Sequence, residues 1–227
     1  MFKHINQISE QAFLIDFGSE ISIEKNIKVN LFSEFILNDF EKIKKLEILN
    51  CVPSYNKILI QFEPLSQNKS KILDYLYSIK LVNSKNKIKE KIIEIPICYD
   101  KSFALDIKSI SKFINLSEDD IINEHLNTLF HVYMIGFLPG LPFMGNINKK
   151  YSIPRKITPR LNVPKGSVAI VDKFCVIYPQ TSPGGWNIIG RTPINLFRKH
   201  MNKPIVIKPG NKVRFKKISL KEFNNYA

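Results

Sequence analysis

The chain has 227 residues, 44% hydrophobic and 24% charged, with a net charge of +14. That length suits one large domain or two small ones with real cores, and the apolar content excludes a wholly disordered chain. Three cysteines, Cys51, Cys98 and Cys175, form no CxxC pair, which argues against a disulfide framework or zinc knuckle and fits a reducing cytoplasm.

In chain order, Ala12–Phe17 reads as a strand. From Asn26 to about Lys44, apolar residues at Ile27, Leu31, Phe35 and Ile36 follow a helical period. Leu46–Val52 and Lys57–Phe62 read as strands joined around Pro53-Ser54. Lys69–Ile79 reads as a helix with Ile72, Leu76 and Ile79 on one face. Ile92–Ile97, holding Pro96, reads as an edge strand. This β-α-β-β-α-β order predicts an α+β N-terminal domain of split-βαβ, ferredoxin-like type over residues 1–90.

Ser117 and Asp120 give an S-x-x-D start to a helix over Glu118–Leu129. Short β-prone runs then alternate with Gly/Pro turns: Val132–Phe137, Ser167–Val171, Cys175–Tyr178, Trp186–Ile189, Pro204–Ile207 and Lys212–Phe215. Residues 91–227 therefore read as a small β-barrel or sandwich. Within them, His125–Asn148 holds 24 residues without Asp, Glu, Lys or Arg, long enough to span a bilayer. Gly136, Pro139, Gly140, Pro142 and Gly145 interrupt it, so a buried strand and a tight loop are expected instead of a membrane span. The opening MFKHINQISE meets polar and acidic residues before an apolar run, so no signal peptide is visible and a soluble, cytoplasmic protein is expected.

The charge is unevenly placed. Residues 1–125 carry 17 basic and 18 acidic side chains, residues 126–221 carry 17 basic ones and a single acid, Asp172. Such a field suits an anionic ligand or an acidic partner, though lysine-rich surfaces also arise as plain solvation. All five arginines lie between Arg155 and Arg214, and three sit among Pro, Gly and Thr. Arginine in such turns suggests bidentate binding of a carboxylate or phosphate, or else the tying together of loop carbonyls.

Walker, GxSxG and HExxH patterns are absent. His4, His125, His131 and His200 share no metal-ligand spacing, so no bound metal is expected. His125, near a helix end, is either a packed residue or a proton-transfer group tuned near neutrality. Three loops stand out. Gly136-Phe137-Leu-Pro139-Gly140 is a glycine-proline turn. Thr158-Pro-Arg160 followed by Val163-Pro-Lys165-Gly166-Ser167 gathers a guanidinium, an ammonium and a hydroxyl. Tyr178-Pro-Gln-Thr-Ser182-Pro-Gly184-Gly185-Trp186, then Gly190-Arg191-Thr192-Pro193, combines adjacent glycines with the only tryptophan. The glycines can expose backbone N–H groups to an anion, and Trp186 can wall an apolar pocket, or the loop simply closes a hairpin over a core tryptophan.

Taken in order, these loops resemble the B subunit of bacterial 5-oxoprolinase, the PxpB family, also known as KipI or allophanate hydrolase subunit 1. The match runs through Val132-Tyr-Met-Ile-Gly-Phe-Leu-Pro-Gly-Leu-Pro-Phe-Met-Gly145, Pro154-Arg155, Thr158-Pro-Arg160 and Val163-Pro-Lys-Gly-Ser-Val168. It continues through Ile177-Tyr-Pro179, Ser182-Pro-Gly-Gly-Trp186, Ile188-Ile-Gly-Arg-Thr-Pro193 and Leu196-Phe197. The resemblance implies a cyclophilin-like C-terminal β-barrel and a PxpC-like partner subunit, with a PxpA-like subunit in the full complex. It also implies ATP used through the complex to open 5-oxo-L-proline to L-glutamate, this chain being inactive alone. Phosphorylation of the lactam oxygen would make it electrophilic, and cations would stabilise the developing charge.

On that basis His125, Arg160 and Arg191 are the expected catalytic residues. Gly136, Phe137, Pro139, Lys165, Ser167, Tyr178, Ser182, Gly184, Gly185, Trp186 and Thr192 are the expected substrate-binding ones. The chain departs from the family pattern at Phe174, Cys175 and Val176, where a polar stretch has become apolar, and at Asp172, where glycine is common. Two other readings follow from the family's names: an inhibitor that binds a sensor histidine kinase, and a carboxyltransferase-like half-module of a urea carboxylase or allophanate hydrolase system. The basic half carries no basic–aromatic ladder, so nucleic acid is not an expected partner.

Overall fold

The computed structural model describes residues 2–80, 91–202 and 204–226. The chain forms two compact units, residues 1–89 and 90–227.

The first unit contains β1 (His4–Ser9), β2 (Ala12–Asp16), α1 (Ile23–Asn38), α2 (Phe40–Lys45), β3 (Ile48–Pro53), β4 (Lys57–Phe62) and α3 (Lys69–Ser78). Its sheet has the order β1-β2-β4-β3, antiparallel throughout. On β4, Ile58, Ile60 and Phe62 are fully buried while the residues between them are not, the two-residue alternation of a sheet with one covered face. They pack with Phe32 and Ile36 of α1 and with Ile72 and Leu76 of α3.

The single helix expected over 26–44 is two helices. Asp39 leaves helical geometry at φ −93° and ψ 65°, and its carboxylate accepts the backbone N–H of Lys42, capping the second helix while ending the first. The β-α-β-β-α-β order is also corrected. β1 occupies the outer edge beside β2, and the strand expected to close this sheet, Ile92–Ile97, belongs to the sheet of the second unit. The lone polar strand HINQIS has almost no buried face, which is why apolar periodicity does not reveal it.

The second unit contains β5 (Ile92–Ile97), α4 (Ile107–Ile114), α5 (Glu118–Asn127), β6 (Phe130–Ile135), β7 (Pro142–Gly145), β8 (Arg160–Val163), β9 (Ser167–Val171), β10 (Phe174–Ile177), β11 (Ser182–Gly184), β12 (Asn187–Arg191), β13 (Lys212–Lys217) and α6 (Leu220–Asn224). Seven strands run in the order β12-β9-β10-β7-β6-β13-β5. The two ends of this sheet meet: Cys98 and Arg191 exchange both backbone hydrogen bonds, at 2.9 Å each. The result is a nearly closed, barrel-like sheet. β8 and β11 pair separately as a short ribbon.

α5 begins with the expected capping box, the Ser117 and Asp120 side chains each accepting the other's backbone N–H. The uncharged stretch around residue 136 resolves into β6, a tight loop and β7. Among the described residues no helix is long and apolar enough to cross a membrane. Pro204–Ile207, expected as a strand, contributes only an isolated bridge between Ile205 and Phe197.

Alternation along the strands divides the apolar residues into two sets. Val132, Met144, Val168, Ile170, Cys175, Ile177 and Ile189 belong to the main core. Their neighbours Ala169, Val176, Tyr178 and Ile188 pack with Leu141 and Val163 in a second cluster, which Phe143 and Trp186 cover. The candidate site is built on that second cluster.

Candidate functional site

A cavity of about 240 Å³ in the second unit gathers residues of the motif loops. Phe137 from the β6–β7 loop, Leu141, Phe143 of β7, Val176 of β10, Tyr178, Gly184, Gly185, Trp186 and Arg155 line it. Larger hollows in the first unit, about 810 and 520 Å³, are open troughs that hold none of the three motif loops.

Packing forces set the shape of the cavity. Phe143 and Trp186 meet edge to face with ring centroids 5.8 Å apart, which gives a rigid apolar wall. A Cβ on Gly184 would lie 2.4 Å from the Tyr178 hydroxyl, so only glycine lets this strand pass the phenol. Burial raises the Tyr178 pKa, while nearby Arg155 and a hydrogen bond from the Trp186 backbone N–H pull the other way. Phe137 is 68% exposed with φ at +67°, a left-handed conformation that is rare for a bulky residue and holds its ring at the rim. Gly166 carries the turn between β8 and β9 at φ +82°, where a Cβ would meet the Thr192 carbonyl at 2.3 Å.

The charged residues sort differently from the sequence expectation. Arg160 does not face the cavity with an open guanidinium: Nη1 and Nη2 each donate to Asp106 at 2.8 Å. The same carboxylate accepts from Lys156 Nζ at 2.9 Å and from the Ile188 backbone N–H at 2.8 Å. Burial pushes the Asp106 pKa up, but these donors outweigh it and hold the carboxyl below its usual range. Arg191 lies against Phe103 and Phe223, 5.4 and 5.9 Å from their centroids, and its Nε donates to the Lys165 carbonyl at 2.8 Å. It is absent from the cavity lining. Of the two arginines expected to be catalytic, Arg160 is thus held in an internal ion pair and Arg191 is a stacked, backbone-bonded cation.

His125 is a core residue. Its Nδ1 is 2.6 Å from the Tyr99 hydroxyl and its Nε2 is 3.5 Å from Cys175 Sγ, with Phe130 and Phe215 against the ring. Burial lowers its pKa to about 3 and raises the Cys175 thiol far above its usual range, so neither group is charged or open to a substrate. Of the four positions that depart from the family pattern, Cys175 faces the main core and only Val176 lines the cavity. Asp172 keeps a left-handed backbone, φ +47°, where the family often places glycine.

Of the expected binding residues, Phe137, Tyr178, Gly184, Gly185 and Trp186 come together in the cavity. Gly136 closes the β6–β7 loop by donating its N–H to Leu141 and accepting from Leu138, and Pro139 is exposed beside it. Ser167 and Ser182 are buried in strands, Thr192 Oγ1 accepts from the Ile194 N–H, and Lys165 is exposed. Four lining residues were outside the expectation: Arg155, Leu141, Phe143 and Val176. Arg155 had a visible signal, since it is one of the arginines set among prolines. Among the described residues, no group of three or more His, Cys, Asp or Glu side chains is placed to hold a metal ion.

The same sequence pattern and architecture recur in known proteins. The family model "Carboxyltransferase domain, subdomain C and D" matches residues 3–207. The chain is 32% identical to the 5-oxoprolinase B subunit of Bacillus subtilis, over 98% of this chain and 95% of that protein. The crystal structure of a conserved uncharacterized protein, PH0987 from Pyrococcus horikoshii, is 38% identical, with TM-score 0.58 over 97% of this chain and all of that one. The crystal structure of TTHA0988 superimposes with TM-score 0.80 at 28% identity over 92% of this chain, which spans only 40% of that protein. The motif loops, the barrel-like sheet and these likenesses agree: the chain belongs to the carboxyltransferase subdomain C and D family, within its 5-oxoprolinase PxpB group.

Proposed function

We propose that this chain is the B component of an ATP-dependent 5-oxoprolinase, which opens 5-oxo-L-proline to L-glutamate only when a PxpC-like subunit, together with a PxpA-like subunit, completes the enzyme. One observation carries this reading. Two of the family-matching loops, residues 136–145 and 178–186, meet with Arg155 around one cavity that combines an aromatic wall with a guanidinium. TTHA0988, which extends well beyond the region matched here, suggests that further polypeptide belongs beside this fold.

In this role the chain's residues bind and orient. Phe143 and Trp186 would hold the flat lactam ring and keep water from its faces, and Arg155 would fix the carboxylate. The cavity does not fit ATP: about 240 Å³ and one lining cation are too little for a nucleoside triphosphate. Nucleotide binding therefore falls to the partner subunits.

The test is reconstitution. The chain and its candidate partners are purified together, and glutamate release from 5-oxo-L-proline is measured with each protein and ATP omitted in turn. Turnover that needs every component is the expected result. Turnover without this chain, or tight binding to a histidine-kinase dimerisation domain with no turnover in any mixture, overturns it. A second reading, a carboxyltransferase-like half-module, is favoured by the description of the family model. Biotin-dependent carboxyl transfer in the same mixtures would establish it.

A further inference from the structure

We infer that the Arg155 cavity is a receptor for a small monocarboxylate with a compact apolar body, and that this chain forms it without help from a partner. The inference rests on the proposed function only in making 5-oxo-L-proline the first ligand to test.

Three other cations of the motif region are already engaged, and the exposed Lys165 lies outside the cavity lining. Lys156 and Arg160 are committed to Asp106, and Arg191 to two aromatic rings and a carbonyl. Arg155 makes no hydrogen bond or ion pair with any described residue, yet it lines the cavity. No carboxylate is present in the lining to compete for it. A guanidinium has five donors in a planar fork that matches a carboxylate in two places, and an apolar surround strengthens that pairing.

Gly185 keeps the approach open. Its Cβ position lies 3.6 Å from Arg155 Nη2, so any larger side chain would lie against the guanidinium. Much of the remaining lining is aromatic, with Phe143 and Trp186 braced edge to face and Phe137 in a left-handed backbone at the rim. One fork beside a flat apolar wall selects a single carboxylate attached to a ring. Inorganic phosphate shares the charge but has nothing to place against the aromatic wall.

Trp186 is the only tryptophan, so its fluorescence reports from the cavity itself. The full chain is titrated at fixed ionic strength with 5-oxo-L-proline, with 2-pyrrolidinone (the same ring without a carboxylate), with acetate and with inorganic phosphate, and calorimetry follows the same additions. The ring carboxylate should bind at least ~10-fold more tightly than the other three, the value of one charge-assisted hydrogen bond. Arg155→Gln should abolish that preference while leaving the circular dichroism spectrum and melting temperature unchanged, since Arg155 forms no hydrogen bond or ion pair with any described residue.

Equal affinity for the lactam with and without its carboxylate would overturn the inference. So would a preference that survives Arg155→Gln, or the absence of both fluorescence and heat changes with every carboxylate. Arg155-dependent binding of L-proline or benzoate but not of 5-oxo-L-proline would support the receptor and remove the 5-oxoprolinase reading. Reconstituted turnover with an unchanged KM in Arg155→Gln would do the reverse.

Discussion

Arg160 and Asp106 face each other fork to fork, with both nitrogen–oxygen distances at 2.8 Å, and the carboxylate is 3% exposed. Asp106 also holds α4 to β12 by accepting the Ile188 N–H, while its own N–H donates to the Ile188 carbonyl. One of the two arginines expected to meet a substrate anion thus already has its anion, supplied by the fold. Replacing Asp106 by Asn leaves two cations facing a neutral group. Because Arg160 and Lys156 keep over a quarter of their side-chain surface in water, the expected loss is about 2–4 kcal/mol, somewhat below that of a fully buried pair. Denaturant unfolding of wild type and Asp106→Asn measures it. A loss under about 0.5 kcal/mol would mark the pair as surface decoration.

Acid should act through the same carboxylate. Its folded pKa lies below the unfolded value of about 3.9, so the folded state binds fewer protons in that window. The stabilisation is fully present above the unfolded pKa and is lost as pH falls through the folded one. Melting temperature recorded from pH 6 down to pH 2 should show a decline below about pH 4 that is blunted in Asp106→Asn.

His125 makes the complementary case. With its folded pKa lowered to about 3 against an ordinary value of 6.5, the unfolded chain binds the extra proton between those values, and stability decreases as pH falls across that range. The ring itself should remain neutral throughout the working range of an enzyme. Imidazole NMR signals from His125 should stay constant between pH 8 and pH 5. A titration midpoint near 6.5 would mean that the ring meets solvent and can move protons.

Gly184→Ala tests the wall of the cavity. The new methyl would meet the Tyr178 hydroxyl at 2.4 Å and ring carbons at 2.9 and 3.0 Å. Overpacking of this kind costs about 1–3 kcal/mol. Adding Tyr178→Phe removes the nearest atom, so the double variant should recover part of the loss and not all of it. Thermal unfolding of the two singles and the double gives the coupling.

Phe137 offers a change that should separate binding from stability. Its ring is mostly in water and its backbone is left-handed, a conformation that glycine adopts freely. Phe137→Gly should keep unfolding stability within about 1 kcal/mol, relief of strain offsetting the added freedom of the unfolded chain. The same variant removes one wall at the rim, so the Trp186 titration should show weaker ligand binding.

The parts legible in the sequence were those where periodicity or local chemistry speaks alone. β4, β5 and β9 match their apolar runs residue for residue, and the Ser117 box starts α5 as expected. β1 and the β8–β11 ribbon were not legible, because their strands bury little and carry no alternating pattern. The loops that would meet in one cavity were recognisable, and Trp186, Tyr178 and Gly184 do line it. The sorting of arginines was not, since the partner of Arg160 lies at the start of α4, far upstream in a chain whose second half has almost no acids. Only folding decides which guanidinium is neutralised and which is left for a ligand.

The seam of the barrel has a bearing on how the protein is made. β5 is the first strand of its unit to leave the ribosome, yet its neighbours are β13, parallel along its whole length, and the end of β12. Its ladder partners are synthesised last. The nascent second unit must therefore carry an unpaired Ile-rich strand until β13 has emerged, which makes closure slow and that interval the moment of greatest exposure to misassembly. Chains halted before Lys212 should be the forms most often captured by chaperones.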